Sequence, residues 1–180
     1  MIKWNKVKNV TGYKVYVLEN GKYVCKKTVK KGASVTLKGL KDCAYTTVSV
    51  VGYISSTVGT AYGDHCAKSF YTKPHNITEI TQSNKTDTSY TLSWKKPSEA
   101  VNRYYLYRYN DKKGKYERIA VTKKTSYTVK GLTPGTVQRY TVMAALSKDG
   151  KVVSKSERVC NFECSTYLPQ VKKLRLDSAT

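Results

Sequence analysis

The stretch NRYYLYRYNDKKGKY, residues 102–116, carries five tyrosines and five basic residues in fifteen positions. Alternate residues of an extended chain share one face, so Tyr105, Tyr107 and Tyr109 lie on one side and Tyr104 lies on the other. The polar sequence NDKKG follows, and an extended pattern then resumes. The stretch therefore predicts a β-hairpin with aromatic side chains on both faces.

The composition of the 180 residues favours an ordered, all-β chain. Tyrosine occurs 16 times, against 2 Trp and 2 Phe. Tyrosine and threonine both favour pleated, half-buried surfaces. No segment has a sustained helical period, and the 4 prolines and 11 glycines lie mostly between apolar runs.

The net charge is +21, from 33 Lys and Arg against 12 Asp and Glu. Such a charge attracts polyanions, for example nucleic acid, anionic lipid headgroups or acidic wall polymers. Only six of the basic residues are arginine, whose planar fork binds bases and phosphates. We therefore expect weak, non-specific polyanion binding that fades as salt rises. No apolar run approaches the ~18–20 residues that span a bilayer, so no membrane insertion is predicted.

An internal repeat organises the chain. The sequence IKWNKV at 2–7 resembles LSWKKP at 92–97, and GYKVY at 12–16 resembles RYYLY at 103–107. The order of the matches is kept, with an offset of about ninety residues, which indicates two copies of one unit. The boundary between the copies is predicted near Lys73–Pro74.

Seven short strands are predicted in the second copy, at 76–82, 88–94, 103–109, 115–121, 125–129, 138–146 and 153–164. Seven strands within about a hundred residues are typical of a two-sheet sandwich. In the first copy, Asn20-Gly21 between two extended runs is a strong hairpin signal.

These features together resemble the fibronectin type III domain. Trp4 and Trp94 match the core tryptophan of that family's strand B, and Leu40 and Leu132 match the leucine before its strand F. The family usually has a corner tyrosine six residues after this leucine, where the second copy has Gln138. The resemblance implies an all-β fold of two tandem immunoglobulin-like sandwiches.

The resemblance also implies a domain plan. Residues 1–73 form a domain that lacks its strand A, residues 74–168 form a complete domain, and residues 169–180 form a linker and the strand A of a further repeat. The chain is thus expected to be a segment of a longer array. An exposed strand edge accepts another strand, so residues 170–176, which contain VKKLRL, are expected to add head to tail to the first domain of a neighbouring molecule.

The function that the resemblance implies is non-catalytic. Lysine-rich and tyrosine-rich repeats are similar to those of exported and cell-surface proteins of Gram-positive bacteria, where they act as spacers or adhesion-type interaction modules. An extracellular or cell-surface location and a protein or glycan ligand follow from this. Two alternatives stay open: a binding module for acidic wall polymers or glycans, and the accessory region of a secreted glycan-degrading enzyme.

The chemical groups in the sequence predict no enzymatic activity and no cofactor. His65 and Cys66 are adjacent, and adjacent residues of a strand point to opposite faces, so they do not form a nucleophile–base pair. Metal ligands come in threes or fours, and His65, Cys66 and His75 do not form such a set. No paired acid–base carboxylates and no glycine-rich phosphate loop occur.

The 5 cysteines cannot all pair within one chain. No Cys-x-x-Cys motif occurs. We expect free, buried or half-buried thiols that behave as small hydrophobes.

The opening stretch supplies the candidate ligand platform. Its members are predicted to be Tyr105, Tyr107, Tyr109, Tyr116 and Arg118. One interpretation is ordinary cross-strand packing on the outward face of the sheet. The other is an aromatic–basic platform for a polysaccharide or polyanion. The first copy offers only Tyr16 and Leu18 at the matching positions, so a platform is expected only in the second copy.

Overall fold

The computed structural model describes residues 1–169 as two compact units, and the boundary between them falls between Lys73 and Pro74. We call residues 1–73 unit 1 and the residues from Pro74 onward unit 2. The regular secondary structure of residues 1–169 consists of β-strands, which agrees with the all-β prediction. The segment VKKLRL, for which strand addition is predicted, lies outside the described residues.

Unit 1 contains seven strands in two sheets. The strands are β1 (Ile2–Lys3), β2 (Gly12–Glu19), β3 (Lys22–Val29), β4 (Ser34–Val35), β5 (Tyr45–Ser56), β6 (Gly59–Tyr62) and β7 (Cys66–Tyr71). The larger sheet has the order β3-β2-β5-β6, with β7 also paired to β5. The smaller sheet consists of β1 and β4, each two residues long.

The described part of unit 2, residues 74–169, contains eight strands in two sheets. The strands are β8 (Ile80–Ser83), β9 (Tyr90–Trp94), β10 (Arg103–Asn110), β11 (Lys115–Thr122), β12 (Ser126–Val129), β13 (Val137–Lys148), β14 (Lys151–Lys155) and β15 (Phe162–Ser165). The larger sheet has the order β11-β10-β13-β14, with β15 also paired to β13. The smaller sheet has three strands in the order β12-β9-β8, so the unit is a sandwich of two antiparallel sheets.

The core of unit 2 follows from the alternation of apolar residues. Tyr104 and Leu106 of β10 point inward and are almost fully buried, as the two-residue period predicts. Trp94 is also buried, which confirms its expected place in the core. Tyr140 is the buried tyrosine near the corner, two residues beyond the family's usual position, and its hydroxyl accepts a hydrogen bond of 2.9 Å from Tyr90.

The core of unit 1 is smaller. Its fully buried cluster consists of Val15, Val17 and Val48, with further apolar residues packed around it. Trp4 is only half-buried, so the prediction that it is a buried core residue is wrong. The reason is that Trp4 directly follows β1, which belongs to a two-stranded sheet, whereas Trp94 lies in the middle strand of three.

The strand bounds differ from the predicted ones at both ends of unit 2. The first strand begins at Ile80 rather than at residue 76. The predicted strand 153–164 is divided, because the chain leaves the sheet between β14 and β15. In unit 1 the Asn20-Gly21 hairpin is confirmed, since both residues have the positive φ values, 50° and 78°, that a type I′ turn requires.

Candidate functional site

The predicted platform residues lie on the outward face of the larger sheet of unit 2. Tyr105, Tyr107 and Tyr109 are half-buried, in contrast to Tyr104 and Leu106 of the same strand, which are buried. In β11, Tyr116 lies opposite Tyr109, and Arg118 lies opposite Tyr107 across a β-bulge. The structure therefore brings all five predicted residues together on two neighbouring strands.

Three arginines stack on the tyrosine rings of this face. The guanidinium carbon of Arg118 lies 5.6 Å from the ring centre of Tyr105. Arg139 lies 4.0 Å from the ring centre of Tyr109. The remaining member, Arg158, bridges two rings, 5.0 Å from that of Tyr107 and 5.8 Å from that of Tyr116. We call the set Tyr105, Tyr107, Tyr109, Tyr116, Arg118, Arg139 and Arg158 the tyrosine face.

Aromatic packing fixes the edge of the tyrosine face. The rings of Tyr109 and Tyr116 meet edge to face, with centres 5.1 Å apart. The Tyr116 hydroxyl donates a hydrogen bond of 2.8 Å to Asn161 Oδ1. Edge-to-face pairs of this kind contribute about 0.5–1.5 kcal/mol beyond the burial of their area. The ring positions are therefore held by both strand pairing and side-chain contacts.

Arg158 reaches the tyrosine face because strand pairing is interrupted between β14 and β15. Ser156 is buried at the start of the interruption, where its backbone amide donates to the Ala144 carbonyl at 2.8 Å. Its hydroxyl accepts a hydrogen bond of 3.0 Å from the Ala144 amide. Pairing with β13 resumes only at Phe162, so Arg158 lies in a segment that is not paired with that strand.

The tyrosine face carries positive charge. Arg139 forms an ion pair with Asp111, but in the described part of the chain no carboxylate pairs with Arg118 or Arg158, both of which are exposed. Burial raises the pKa of the Tyr116 hydroxyl, so this ring stays neutral at physiological pH. The two exposed guanidinium groups are therefore available to an anion.

Unit 1 repeats part of this arrangement with a different residue. Tyr16 lies opposite Ser49, as Tyr107 lies opposite Thr141 in unit 2. His65 stands just before β7 and stacks on Tyr23 with ring centres 4.4 Å apart, close to Tyr16 at 5.2 Å. His65 Nδ1 is also within hydrogen-bond distance, 2.8 Å, of Ser49 Oγ. His65 thus occupies in unit 1 the place that Arg158 occupies in unit 2.

Sequence reasoning missed two residues of the tyrosine face. Arg139 has a signal in the sequence, because it belongs to the outward phase of β13, opposite in phase to the buried Tyr140. Arg158 has no such signal, since the sequence pattern predicts a continuous strand over residues 153–164. Its position depends on where that strand is interrupted.

His65 and Cys66, the adjacent pair of reactive side chains, lie apart from each other. His65 contacts Ser49, whereas Cys66 pairs with Val50, whose side chain points to the opposite face, so the two do not meet. Burial raises the pKa of the Cys164 thiol to about 12, which keeps it protonated and unreactive at neutral pH. None of the five cysteines, which all lie within residues 1–169, forms a disulfide, as predicted. Cys43 and Cys164 are buried and Cys160 is half-buried, but Cys25 and Cys66 are exposed, so the prediction of buried or half-buried thiols is wrong for these two.

Residues 1–169 include no group of three or more His, Cys, Asp or Glu side chains placed to hold a metal ion. Over the same range, no helix has the length and apolar character needed to cross a membrane.

Residues 73–160 match the family model of the Fibronectin type III domain. Unit 2 is a fibronectin type III domain. A comparison with curated proteins gave no match.

The chain is similar to solved structures of fibronectin type III domains. A two-domain fibronectin type III segment of chicken tenascin is 19% identical, with a TM-score of 0.53, and the match covers 91% of this chain and 90% of that one. The fn3 domain of human collagen alpha-1(XX) is 20% identical, with a TM-score of 0.46, over 56% of this chain and 92% of that one. The twitchin kinase region of C. elegans is 20% identical, with a TM-score of 0.43, over 57% of this chain and 18% of that one. The match to the tenascin segment shows that the chain has the fold of two tandem fibronectin type III sandwiches.

The stacking determines what the tyrosine face of this fibronectin type III domain can bind. A sugar ring binds a tyrosine by lying flat on the ring. One face of Tyr105, Tyr107 and Tyr109 is instead covered by a guanidinium group. The N–H edges of these guanidinium groups remain suited to carboxylate, sulfate or phosphate oxygens. The geometry therefore favours an anionic group over a neutral sugar.

Proposed function

We propose that the chain is a non-catalytic spacer and interaction module of an exported or cell-surface bacterial protein. Fibronectin type III domains are generally non-catalytic modules and are common in extracellular proteins. The observation that carries the interaction role is the tyrosine face, where stacking orders three arginines on one exposed sheet. A domain that acts as a spacer alone does not require exposed arginines without carboxylate partners.

The ligand class that this face supports best is an acidic polymer, which includes acidic wall polymers and sulfated or carboxylated glycans. Arg118 and Arg158 lie on successive positions of the face, over Tyr105 and Tyr107. A stacked guanidinium loses less conformational freedom on binding than a free lysine, because part of its entropy is already lost. The arginines of this face should therefore contribute more to binding than an equal number of scattered lysines.

Binding of a sulfated heparin oligosaccharide and of inorganic polyphosphate tests this proposal. The variant Arg118→Ala/Arg158→Ala lowers the net charge by two, and the control Lys123→Ala/Lys130→Ala lowers it by the same amount at exposed positions off the tyrosine face. We expect calorimetry at physiological salt to show a larger loss of affinity for the arginine variant. Equal losses would indicate non-specific attraction by net charge and would contradict a binding role of the face.

The spacer and surface roles need a separate experiment. We expect the native gene product to be found in the extracellular or wall fraction, and antibodies raised against residues 1–169 to label intact cells. Labelling only after lysis would contradict the proposed location. Hydrolase activity of the purified chain that is lost in His65→Ala or Cys66→Ala would contradict its non-catalytic character.

A further inference from the structure

Unit 1 has a groove with a volume of about 720 Å³ beside β1. One wall is formed by the first residues of the chain and the other by β7, and the floor comes from β5. Apolar and small side chains form much of its lining, among them Ile2, Trp4, Val50, Gly52, Cys66 and Phe70.

Unit 2 shows which kind of segment fits at the equivalent place. There β8 pairs with β9, with Ile80 opposite Trp94 and Gln82 opposite Leu92. Ile80 and the preceding Ile77 are 1% and 3% exposed, so the segment that contains β8 contributes two side chains to the core.

The repeat and the strand register identify the matching positions in unit 1. Trp4 corresponds to Trp94 by the repeat. Tyr16 pairs with Ser49 in unit 1 as Tyr107 pairs with Thr141 in unit 2. The residues that follow Ser49 and Thr141 are Val50 and Val142, so these two valines correspond to each other. The groove therefore lies where β8 covers the core of unit 2.

The burial of these matched residues differs between the units. In unit 2, Leu92, Trp94 and Val142 are buried. Their counterparts in unit 1, Ile2, Trp4 and Val50, are all half-buried. Apolar side chains that are buried in unit 2 are thus only half-buried along one strip of unit 1. Covering this strip is favourable, because burying apolar area stabilises by about 25 cal/mol per Å².

The backbone of β1 also presents an edge to the groove. The Trp94 amide donates to Thr125 on the β12 side, and the Trp4 amide likewise donates to Ala33 on the β4 side. Amides of successive residues in a strand point in opposite directions, so the Lys3 amide points to the groove side. An edge of this kind accepts an added strand.

The C-terminal sequence resembles the segment that covers the core in unit 2. Val171 and Leu174 are three residues apart, as are Ile77 and Ile80, and a proline precedes each pair, at Pro169 and Pro74. Leu176 follows two residues after Leu174 and adds a third apolar side chain.

We propose that residues 169–176 of one molecule add as a strand to β1 of a second molecule and close its groove. Donor and acceptor surfaces are different, so the contact is heterologous and produces open chains or closed rings. The site is distinct from the tyrosine face, which lies in unit 2, so this proposal does not depend on the proposed function.

The charges give the association a characteristic salt dependence. The donor segment carries Lys172, Lys173 and Arg175, and the groove contains Lys3 and Lys68 with Asp64 as its acidic member. Two molecules of charge +21 repel each other, and salt screens this repulsion. Association should therefore strengthen as salt rises, whereas polyanion binding weakens.

Light scattering of the full chain over a concentration series tests the proposal. We expect the mass to rise from 20.3 kDa toward multiples of it, more steeply at high salt. The variant Val171→Asp/Leu174→Asp should stay monomeric. The control Gln170→Asp/Ser178→Asp introduces the same charge at polar positions of the same tail and should associate like the unchanged chain.

Thiol alkylation maps the contact on the acceptor. Cys66 lines the groove, and Cys25 is an exposed thiol on β3 that serves as the internal control. A peptide with the sequence of residues 169–180, added to the Val171→Asp/Leu174→Asp chain, should slow alkylation of Cys66 and leave that of Cys25 unchanged. A peptide with the same two Asp substitutions should slow neither.

Four outcomes would overturn the proposal. Monomers in which Cys66 is protected would place the tail in its own groove, and monomers with a reactive Cys66 would show that the groove stays open. Association with Cys66 still reactive would place the contact elsewhere. Protection of Cys66 by a small apolar probe such as 8-anilinonaphthalene-1-sulfonate, without protection by the peptide, would identify a small-molecule site.

Discussion

The buried hydroxyl pair of unit 2 allows a quantitative test of its core. Tyr90 and Tyr140 are both fully buried, the Tyr90 hydroxyl donates to that of Tyr140 at 2.9 Å, and the rings meet edge to face at 6.0 Å. Leaving one buried hydroxyl without its partner costs about 1–3 kcal/mol, whereas removing both partners is often nearly neutral. We therefore expect Tyr140→Phe to lower the free energy of unfolding by about 1–3 kcal/mol, and the double variant to cost less than the sum of the two single variants.

The two single variants should also differ from each other. Arg108 lies close enough to act on the Tyr140 hydroxyl. Tyr90→Phe leaves that hydroxyl with Arg108 nearby, whereas Tyr140→Phe leaves the Tyr90 hydroxyl without its acceptor. Tyr140→Phe should therefore be the more destabilising of the two.

The assay uses the Trp4→Phe chain as background, because Trp94 is then the single tryptophan and reports on unit 2. Urea titrations followed by fluorescence give the free energy of unfolding by linear extrapolation. Additive costs in the double variant would show that the two hydroxyls are not coupled in the core. The packing described for Tyr90 and Tyr140 would then be wrong.

Three further predictions concern burial, pH and backbone space. Trp94→Ala should cost unit 2 about 3–5 kcal/mol, and Trp4→Ala should cost unit 1 less because Trp4 is half-buried; equal costs in urea titrations would contradict this difference. Burial raises the pKa of the Cys164 thiol from 9.0 to about 12. The contribution of the buried neutral thiol to the free energy of unfolding is therefore complete below pH 9 and is lost as the pH rises toward 12. Cys164→Ala should make the alkaline loss of stability less steep. Gly12→Ala should lower the melting temperature of unit 1, because the added Cβ would lie 2.7 Å from a carbonyl oxygen of β3, whereas Gly63→Ala has room and should leave it unchanged.

The candidate site was only partly predictable from sequence. The alternation of tyrosines in residues 102–116 predicted which rings share the outward face, because that alternation is a local property of an extended chain. Arg139 follows the same rule in β13. The stacking of Arg158 on Tyr107 joins residues far apart in sequence, and it arises only because the chain leaves the sheet after β14. A pattern with a two-residue period carries no information on where a strand is interrupted.

The sequence by itself determined the all-β class, the ninety-residue repeat and the tight turn at Asn20-Gly21, since each depends on neighbouring residues or on direct similarity between segments. Only the tertiary structure decided how well each tryptophan is covered. Trp4 and Trp94 stand in closely similar sequences, yet one is half-buried and the other buried. Burial depends on what packs against a side chain, and Trp94 has β8 beside its strand while Trp4 faces a groove. The same sequence motif therefore forms part of a closed core in unit 2 and lines an open groove in unit 1.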